Sequence, residues 1–323
     1  MKLLIPGGAG YIGSHMVKYA QDHDHEVVVL DNFSTGHEWA VKDCEVLRID
    51  LLDQDKLSNA LHGRHFDGVI HFAAKSLVGE SVQKPDDYYR NNVVGTFNLV
   101  NEMLRNDVNN FVFSSTAAIF GNPITPKIAE DHPKNPINPY GQSKLIVENI
   151  LKDICSAYDF NVTCFRYFNA AGAHDSSTIG EDHEPETHLI PNILKSSLSG
   201  ALLKVFGNDY DTTDGTCVRD YIHVTDLSQA HLLGLTHMKK NNGFSAFNLG
   251  NGSGFSVLDV IRSCERVIKK SIPYHIDVRR EGDPATLVAD STSAINQLSW
   301  KPEFDELDSI IGSAWKWHNG YNK

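Results

Sequence analysis

The sequence predicts an α/β fold, a doubly wound parallel sheet with a smaller mixed lobe formed by the C-terminal part of the chain. Three observations predict it. Short apolar runs alternate with helical stretches six times before residue 170, the first run enters a glycine-rich turn, and the alternation then gives way to mixed short elements. At 323 residues the chain is long enough for one large domain and a smaller one, divided here as 1–169 and 170–323 with some crossover of chain between them.

The first strand, Leu3-Leu4-Ile5, runs through Pro6 into Gly7, Gly10 and Gly13, and a helix follows from Ser14 to Asp22. Glycines at this spacing between a strand and a helix let backbone approach a pyrophosphate. The new helix then offers unpaired N–H groups and the positive end of its dipole. The second strand, Glu26 to Leu30, ends at Asp31. A carboxylate about 20 residues beyond the glycines accepts hydrogen bonds from a ribose and repels a 2′-phosphate, so Asp31 favours NAD over NADP.

A polar loop, Asn32 to Gly36, leads to a third strand, Glu45 to Ile49, then a helix from Asp53 to Leu61 and a buried strand from Gly68 to Phe72. Pro85 to Arg105 reads as one long helix and Asn110 to Phe113 as a strand. Pro139 to Ala157 is the next helix and Asn161 to Phe165 the next strand. Ligands of such sheets gather beyond the carboxyl ends of the strands. That places Gly7, Gly10, Tyr11, Ile12, Gly13, Asp31, Asp50, Leu51, Phe72, Ala73, Ala74, Ser114, Ser115, Thr116, Phe168 and Asn169 at one cleft.

Beyond a polar loop, Ala171 to Thr187, the chain mixes helices at Leu189 to Ser199, Val224 to Met238, Ser256 to Ile268 and Leu307 to Trp317 with short strands at Lys204 to Phe206, Ala246 to Leu249 and Ile272 to Val278. There is no internal repeat.

Bulk properties narrow the function. A formal charge of −12 argues against a nucleic-acid partner, and an anionic substrate must be held by a few local arginines. No apolar run is long enough to span a bilayer, and Met1 to Pro6 is too short for a signal sequence, so a cytoplasmic protein is expected. Five scattered cysteines without a C-x-x-C pair fit a reducing compartment. Sixteen histidines show no H-E-x-x-H spacing, His183 and His188 stand among polar loop residues, and no metal is expected.

Tyr140 and Lys144 open the helix after Asn138 at i and i+4, on one face, and none of the other tyrosines has lysine four residues on. A phenol of pKa about 10 is a poor base at neutral pH. An ammonium about 4–5 Å away at an effective dielectric near 20 contributes roughly 3–4 kcal/mol, and with the positive charge of an oxidised nicotinamide it is expected to bring that phenol into range for acid–base work. Thr116, at the end of the fifth strand, can share the proton.

These residues carry a resemblance that spans essentially the whole chain. Gly7 to His15, Asp31-Asn32, His71 to Ala74, Val78 to Ser81, Tyr88 to Asn92, Arg166 to Asn169, Gly207 to Tyr210 and Asp214 to Val224 are similar to the motifs of extended short-chain dehydrogenase/reductases, which have a Rossmann-type sheet. Within them the last block is similar to the branch that epimerises UDP-hexoses. The resemblance implies tightly held NAD, a homodimer, and transient oxidation at the sugar C4 with hydride returned to the opposite face. It implies further cofactor contacts from Asn32, Ser34, Thr35, Gly36, Ser76 and Asn91, besides Ser114, Ser115, Tyr140 and Lys144. For the UDP-hexose it implies Thr116, Tyr140, Asn169, His188, Leu189, Val205, Phe206, Arg219, Tyr221, Arg280, Asp283 and Leu287, the two arginines on the diphosphate.

Departures from the family pattern carry information. Lys75 stands one position early and Ser76 takes the aligned place, so no cofactor contact is assigned to the Lys75 amine. Phe120 and Pro6 replace a frequent tyrosine and threonine. Leu287 stands where a tyrosine often gates the C2 substituent, which predicts activity on UDP-N-acetylhexosamines. A dehydratase on the same fold would need a carboxylate where this chain has Thr116-Ala117-Ala118. A non-catalytic NAD sensor would have no use for Tyr140, Lys144, Arg219 and Arg280 together.

Overall fold

Valine and leucine runs that can be buried on both faces become the centre of the molecule. The computed structural model describes residues 1–280 and 283–321. Strands β1 (Lys2–Pro6), β2 (Glu26–Leu30), β3 (Glu45–Leu47), β4 (Gly68–His71), β5 (Asn110–Thr116) and β6 (Asn161–Tyr167) pair in parallel. The C-terminal part adds β7 (Asn169–Ala171), β8 (Leu203–Phe206), β9 (Val218–Arg219), β10 (Tyr221–His223), β11 (Phe244–Leu249), β12 (Phe255–Ser256), β13 (Tyr274–Asp277) and β14 (Thr286–Leu287). The seven-stranded sheet runs in the order β11-β6-β5-β4-β1-β2-β3, so the chain returns from its second half to supply an edge strand parallel to β6.

The helices are α1 (Tyr11–Asp22), α2 (Gln54–Leu61), α3 (Val78–Gln83), α4 (Pro85–Tyr88), α5 (Gly95–Arg105), α6 (Pro139–Ala157), α7 (Leu189–Ser199), α8 (Val224–Met238), α9 (Val257–Ile268), α10 (Thr292–Leu298) and α11 (Leu307–Tyr321). Two apolar layers cover the sheet. Met16, Val17 and Ala20 of α1 and Leu227 and Ala230 of α8 pack with Leu3, Ile5 and Val29 on one face, while Leu99 and Met103 of α5 and Val147 and Leu151 of α6 pack with Leu4, Val69 and Phe113 on the other. The smaller lobe has its own core, with Ile193, Val205, Tyr221, Val260 and Ile310 among its residues. Among the described residues no helix is long and apolar enough to cross a membrane.

Several predicted elements have local causes in the structure. Asp53 caps α2 by accepting from Lys56 N, Asn138 caps α6 by accepting from Gly141 N, and Ser256 with Asp259 forms a capping box for α9. The predicted helix from Pro85 to Arg105 is interrupted by a π turn at Tyr89–Val94. Such turns insert one extra residue and cluster at functional sites, and apolar periodicity does not announce them. Two-residue strands such as β9 and β14 were below the reach of sequence pattern, since they exist only through pairing in the small sheet β12-β9-β14.

Candidate active site

The cleft beyond the strand ends begins with backbone. Gly7 adopts φ +78°, and a Cβ there would lie 2.4 Å from Ala73 N. One at Gly13 would lie 2.0 Å from the Gly7 carbonyl oxygen. Both positions therefore admit glycine alone. Gly10 is different: its nearest neighbour would be 3.5 Å away, so nothing in the protein itself requires glycine there. A phosphate group laid on the turn does require that room. Gly10 caps α1 with no side-chain hydrogen bond, and the first turn of α1 carries no acid, so the helix presents bare N–H groups and its positive end. Asp31 at the end of β2 is 8 % exposed, and its two oxygens accept from Ala9 N at 3.0 Å and Phe33 N at 2.8 Å. Burial pushes this carboxyl up while the backbone bonds hold it back. Asn32 donates to Asp50 at 2.9 Å, which ties the β2 and β3 ends together, and Ser34 N donates to the Asn32 side chain at 2.9 Å. These residues fit a dinucleotide with a free 2′-hydroxyl.

The chemistry sits at the ends of β5 and α6. The Tyr140 side chain lies beside Thr116, and the Tyr140 ring meets Tyr88 edge-on at 6.5 Å. Lys144, 4 % exposed, donates to the Ser114 carbonyl at 2.7 Å and lies over the Phe113 ring at 4.8 Å. Burial lowers this amine to about 8. Burial also raises the Tyr140 phenol, with the Thr116 hydrogen bond opposing. In the protein alone burial prevails, and the joint effect expected of Lys144 and the nicotinamide charge belongs to the cofactor-bound state. The phenol is enclosed, and the lysine spends its hydrogen bond on a carbonyl.

The alternation of β5 turns the Ser115 hydroxyl away from those of Ser114 and Thr116. The Thr116 hydroxyl accepts from Ala118 N at 3.1 Å, the Ser114 hydroxyl meets His231 at 3.2 Å, and the Ser115 hydroxyl donates to Glu148 at 2.7 Å. The expected cofactor contacts of Ser114 and Ser115 thus cannot come from free hydroxyls. Ser76 is exposed, and the Lys75 amine lies 3.9 Å from Asp87.

Two groups escaped sequence reasoning. Asn92, 1 % exposed in the π turn, accepts from Lys75 N and donates to Lys75 O and to Ser143 Oγ, so it fastens the loop after β4 to α6. Its neighbour Asn91, the expected contact, donates to the Asn92 side chain. Glu148, fully buried one turn beyond Lys144, forms a two-pronged pair with Arg166 of β6 at 3.0 and 2.7 Å. A lone acid on an apolar helix face and a lone arginine in an apolar strand were the available signal.

The second half of the cleft is built from side chains. Thr116 pairs in register with Tyr167, and the chain continues through Phe168 to Asn169, which lies opposite Tyr221 in β7 and β10. Two residues before Tyr221, Arg219 forms an ion pair with Asp283. Leu287 stands opposite Arg219 in β14 and, like Phe168, packs against the apolar cluster of Ala117, Ile119, Phe120 and Ile128. The Arg280 guanidinium lies 4.0 Å over the Phe206 ring, beside buried Val205. The Asn169 amide is taken by the Asp220 carbonyl at 2.9 Å. His188 caps α7 just before Leu189 and hydrogen-bonds Glu181. Burial and Tyr140 both raise the nearby Tyr167 phenol.

Fold and site together define a dinucleotide-binding α/β enzyme with a tyrosine, a threonine and a buried lysine gathered where β5 meets α6. Residues 3–250 match the NAD dependent epimerase/dehydratase family. A UDP-glucose 4-epimerase of Lactobacillus helveticus is 49% identical over 100% of this chain and 98% of its own. The crystal structure of UDP-glucose 4-epimerase from Bifidobacterium longum in complex with NAD+ and UDP is 36% identical, with a TM-score of 0.94 over 100% of this chain and 99% of that one. The structure of the UDP-Glc/GlcNAc 4-epimerase of Campylobacter jejuni is 42% identical, with a TM-score of 0.86 over 99% of both chains. The chain belongs to the NAD dependent epimerase/dehydratase family and, within it, to the UDP-glucose 4-epimerases, which are isomerases.

Proposed function

We propose that the chain interconverts UDP-glucose and UDP-galactose with NAD, and that it also accepts UDP-GlcNAc and UDP-GalNAc. The observation that carries the reading is the gathering of Tyr140, Thr116 and the buried Lys144 at the end of β5, with Lys144 donating to the Ser114 carbonyl at 2.7 Å. Tyr140 takes the proton of the sugar 4-hydroxyl and later returns it. Thr116 holds the same oxygen, and Lys144, anchored on the Ser114 carbonyl, keeps a cation beside the phenol. NAD, when bound, supplies an acceptor that takes the C4 hydride and gives it back, together with a positive charge close to the phenol.

Arg219 and Arg280 bind the diphosphate as charge-assisted donors, and Phe206 lies against the uracil. A strong grip on the nucleotide with few polar groups around Leu287 lets the oxidised sugar turn over before the hydride returns. With Leu287 packed against the Ala117–Ile128 cluster there is no phenol at this position to crowd an N-acetyl group, and the likeness to an enzyme named for both sugars supports this wider range.

The protein is a cytoplasmic homodimer of galactose metabolism on this reading. Val94 and Phe97, one helical turn apart and 47% and 44% exposed, support an apolar pairing surface. Incubating the protein and NAD with UDP-galactose, and separately with UDP-GalNAc, tests the proposal. Formation of the 4-epimer from both is expected, and failure with UDP-galactose would refute the main assignment.

A further inference from the structure

The loop between β7 and α7 holds a cluster of which the family resemblance gives only His188 a place beside the sugar nucleotide. Glu181, His183, Glu186 and His188 fall within eight residues, and one donor atom from each lies within 4.8 Å of all the others. The convergence is specific. His183 Nδ1 is 3.3 Å from Glu181 Oε1, His188 Nδ1 hydrogen-bonds that same oxygen, and His183 Nδ1 is 3.8 Å from Glu186 Oε1. Glu181 is 4 % exposed, and its backbone is held by the Trp317 indole, which donates to Glu181 O at 3.1 Å. The His183 ring meets the Tyr11 ring edge-on at 6.2 Å. The second oxygen of Glu186 faces the Lys195 amine at 3.5 Å, while the first accepts from Thr187 N at 2.9 Å and His188 N at 3.0 Å and keeps a lone pair to offer the cluster.

We propose that Glu181, His183, Glu186 and His188 bind one divalent transition-metal ion of the zinc class, which fastens the β7–α7 loop against Tyr11 of α1 and Trp317 of α11. Two imidazole nitrogens and two carboxylate oxygens are a donor set such ions accept. Ligand atoms around four-coordinate zinc lie about 3.4 Å apart, so the four donors need to contract by little more than 1 Å. Two carboxylates neutralise the ion's charge, which suits a half-buried position. Four protein ligands fill the coordination shell, so the ion's role is structural. The spacing E-x-H-x-x-E-x-H matches no common metal motif, so the site is not announced by local pattern.

The site stands independently of which sugar nucleotide is turned over, and metal binding is the readout. Tag-free protein is stripped with a chelator and titrated with Co²⁺, then with Zn²⁺. One equivalent of Co²⁺ with the intense visible bands of a four-coordinate ion is expected, displaced by Zn²⁺ and accompanied by a rise in thermal midpoint. His183→Ala and the nearly isosteric Glu186→Gln should each weaken uptake at least about tenfold. Should a variant fail to fold, the wild-type Co²⁺ spectrum decides alone. No tight equivalent, the weak bands of a six-coordinate surface ion, or equal uptake by wild type and folded variants would overturn the proposal and leave an ion-pair network.

Discussion

The two halves of the cleft are made of different material. Around Gly7, Gly10 and Gly13 the contacts come from backbone and one buried carboxylate, all within the first 31 residues. In the other half Phe206, Arg219, Arg280, Asp283 and Leu287 come from separate segments, joined by two-residue strands and an ion pair. A backbone cradle tolerates no side chain and fails sharply. A side-chain cradle loses one interaction at a time.

Breaking each half should show that contrast. The largest effect is expected for Gly13→Ala, because the new methyl meets the Gly7 carbonyl at 2.0 Å. NAD affinity should fall more than about 100-fold, read by fluorescence titration, and UDP binding should weaken far less. Arg219→Ala should raise KM for UDP-galactose by roughly 10- to 100-fold, with NAD affinity within about twofold of wild type. An equal loss of NAD affinity in Arg219→Ala would erase the distinction between the halves.

Acid should act mainly on the sheet half. Burial lowers His15 and His231 to about 4 and His71 and His223 to about 3, from an ordinary value of 6.5. A folded pKa below the unfolded one means that the unfolded chain binds protons first. Stability is therefore complete above pH 6.5 and is lost as pH falls toward 3 to 4, by about 1.4 kcal/mol per pH unit for each group. Asp226, raised to about 6, offsets part of this. Thermal midpoints measured from pH 7.5 to 4 should fall steadily below about pH 6.5, and a flat profile would contradict neutral buried histidines. The smallest change is expected for Leu287→Tyr. The ratio of kcat/KM for UDP-GalNAc to that for UDP-galactose should drop several-fold while the hexose value holds, and an unchanged ratio would remove Leu287 from specificity.

The same contrast explains what was legible in the sequence. The glycine turn, Asp31 and the helix limits at Pro139–Ala157 and Leu189–Ser199 follow from local rules and agree with the structure. The use made of Ser115, the π turn carrying Asn92, and the Glu148–Arg166 pair depend on which face a strand or helix presents to a distant partner. Local pattern holds no record of that. The nucleotide half was reached through family resemblance, because its residues share no spacing that physics alone would single out. Tyr140 shows the limit most clearly. Its position was legible, yet the direction of its pKa depends on burial and on where Lys144 donates.

The account rests on the Tyr140 phenol carrying the proton. The direct measurement is the rate of UDP-galactose to UDP-glucose conversion by Tyr140→Phe with saturating NAD, alongside its affinity for NAD and UDP. A rate at least about 1,000-fold below wild type with both ligands bound normally is expected. Epimerisation by Tyr140→Phe at the wild-type rate would contradict the mechanism.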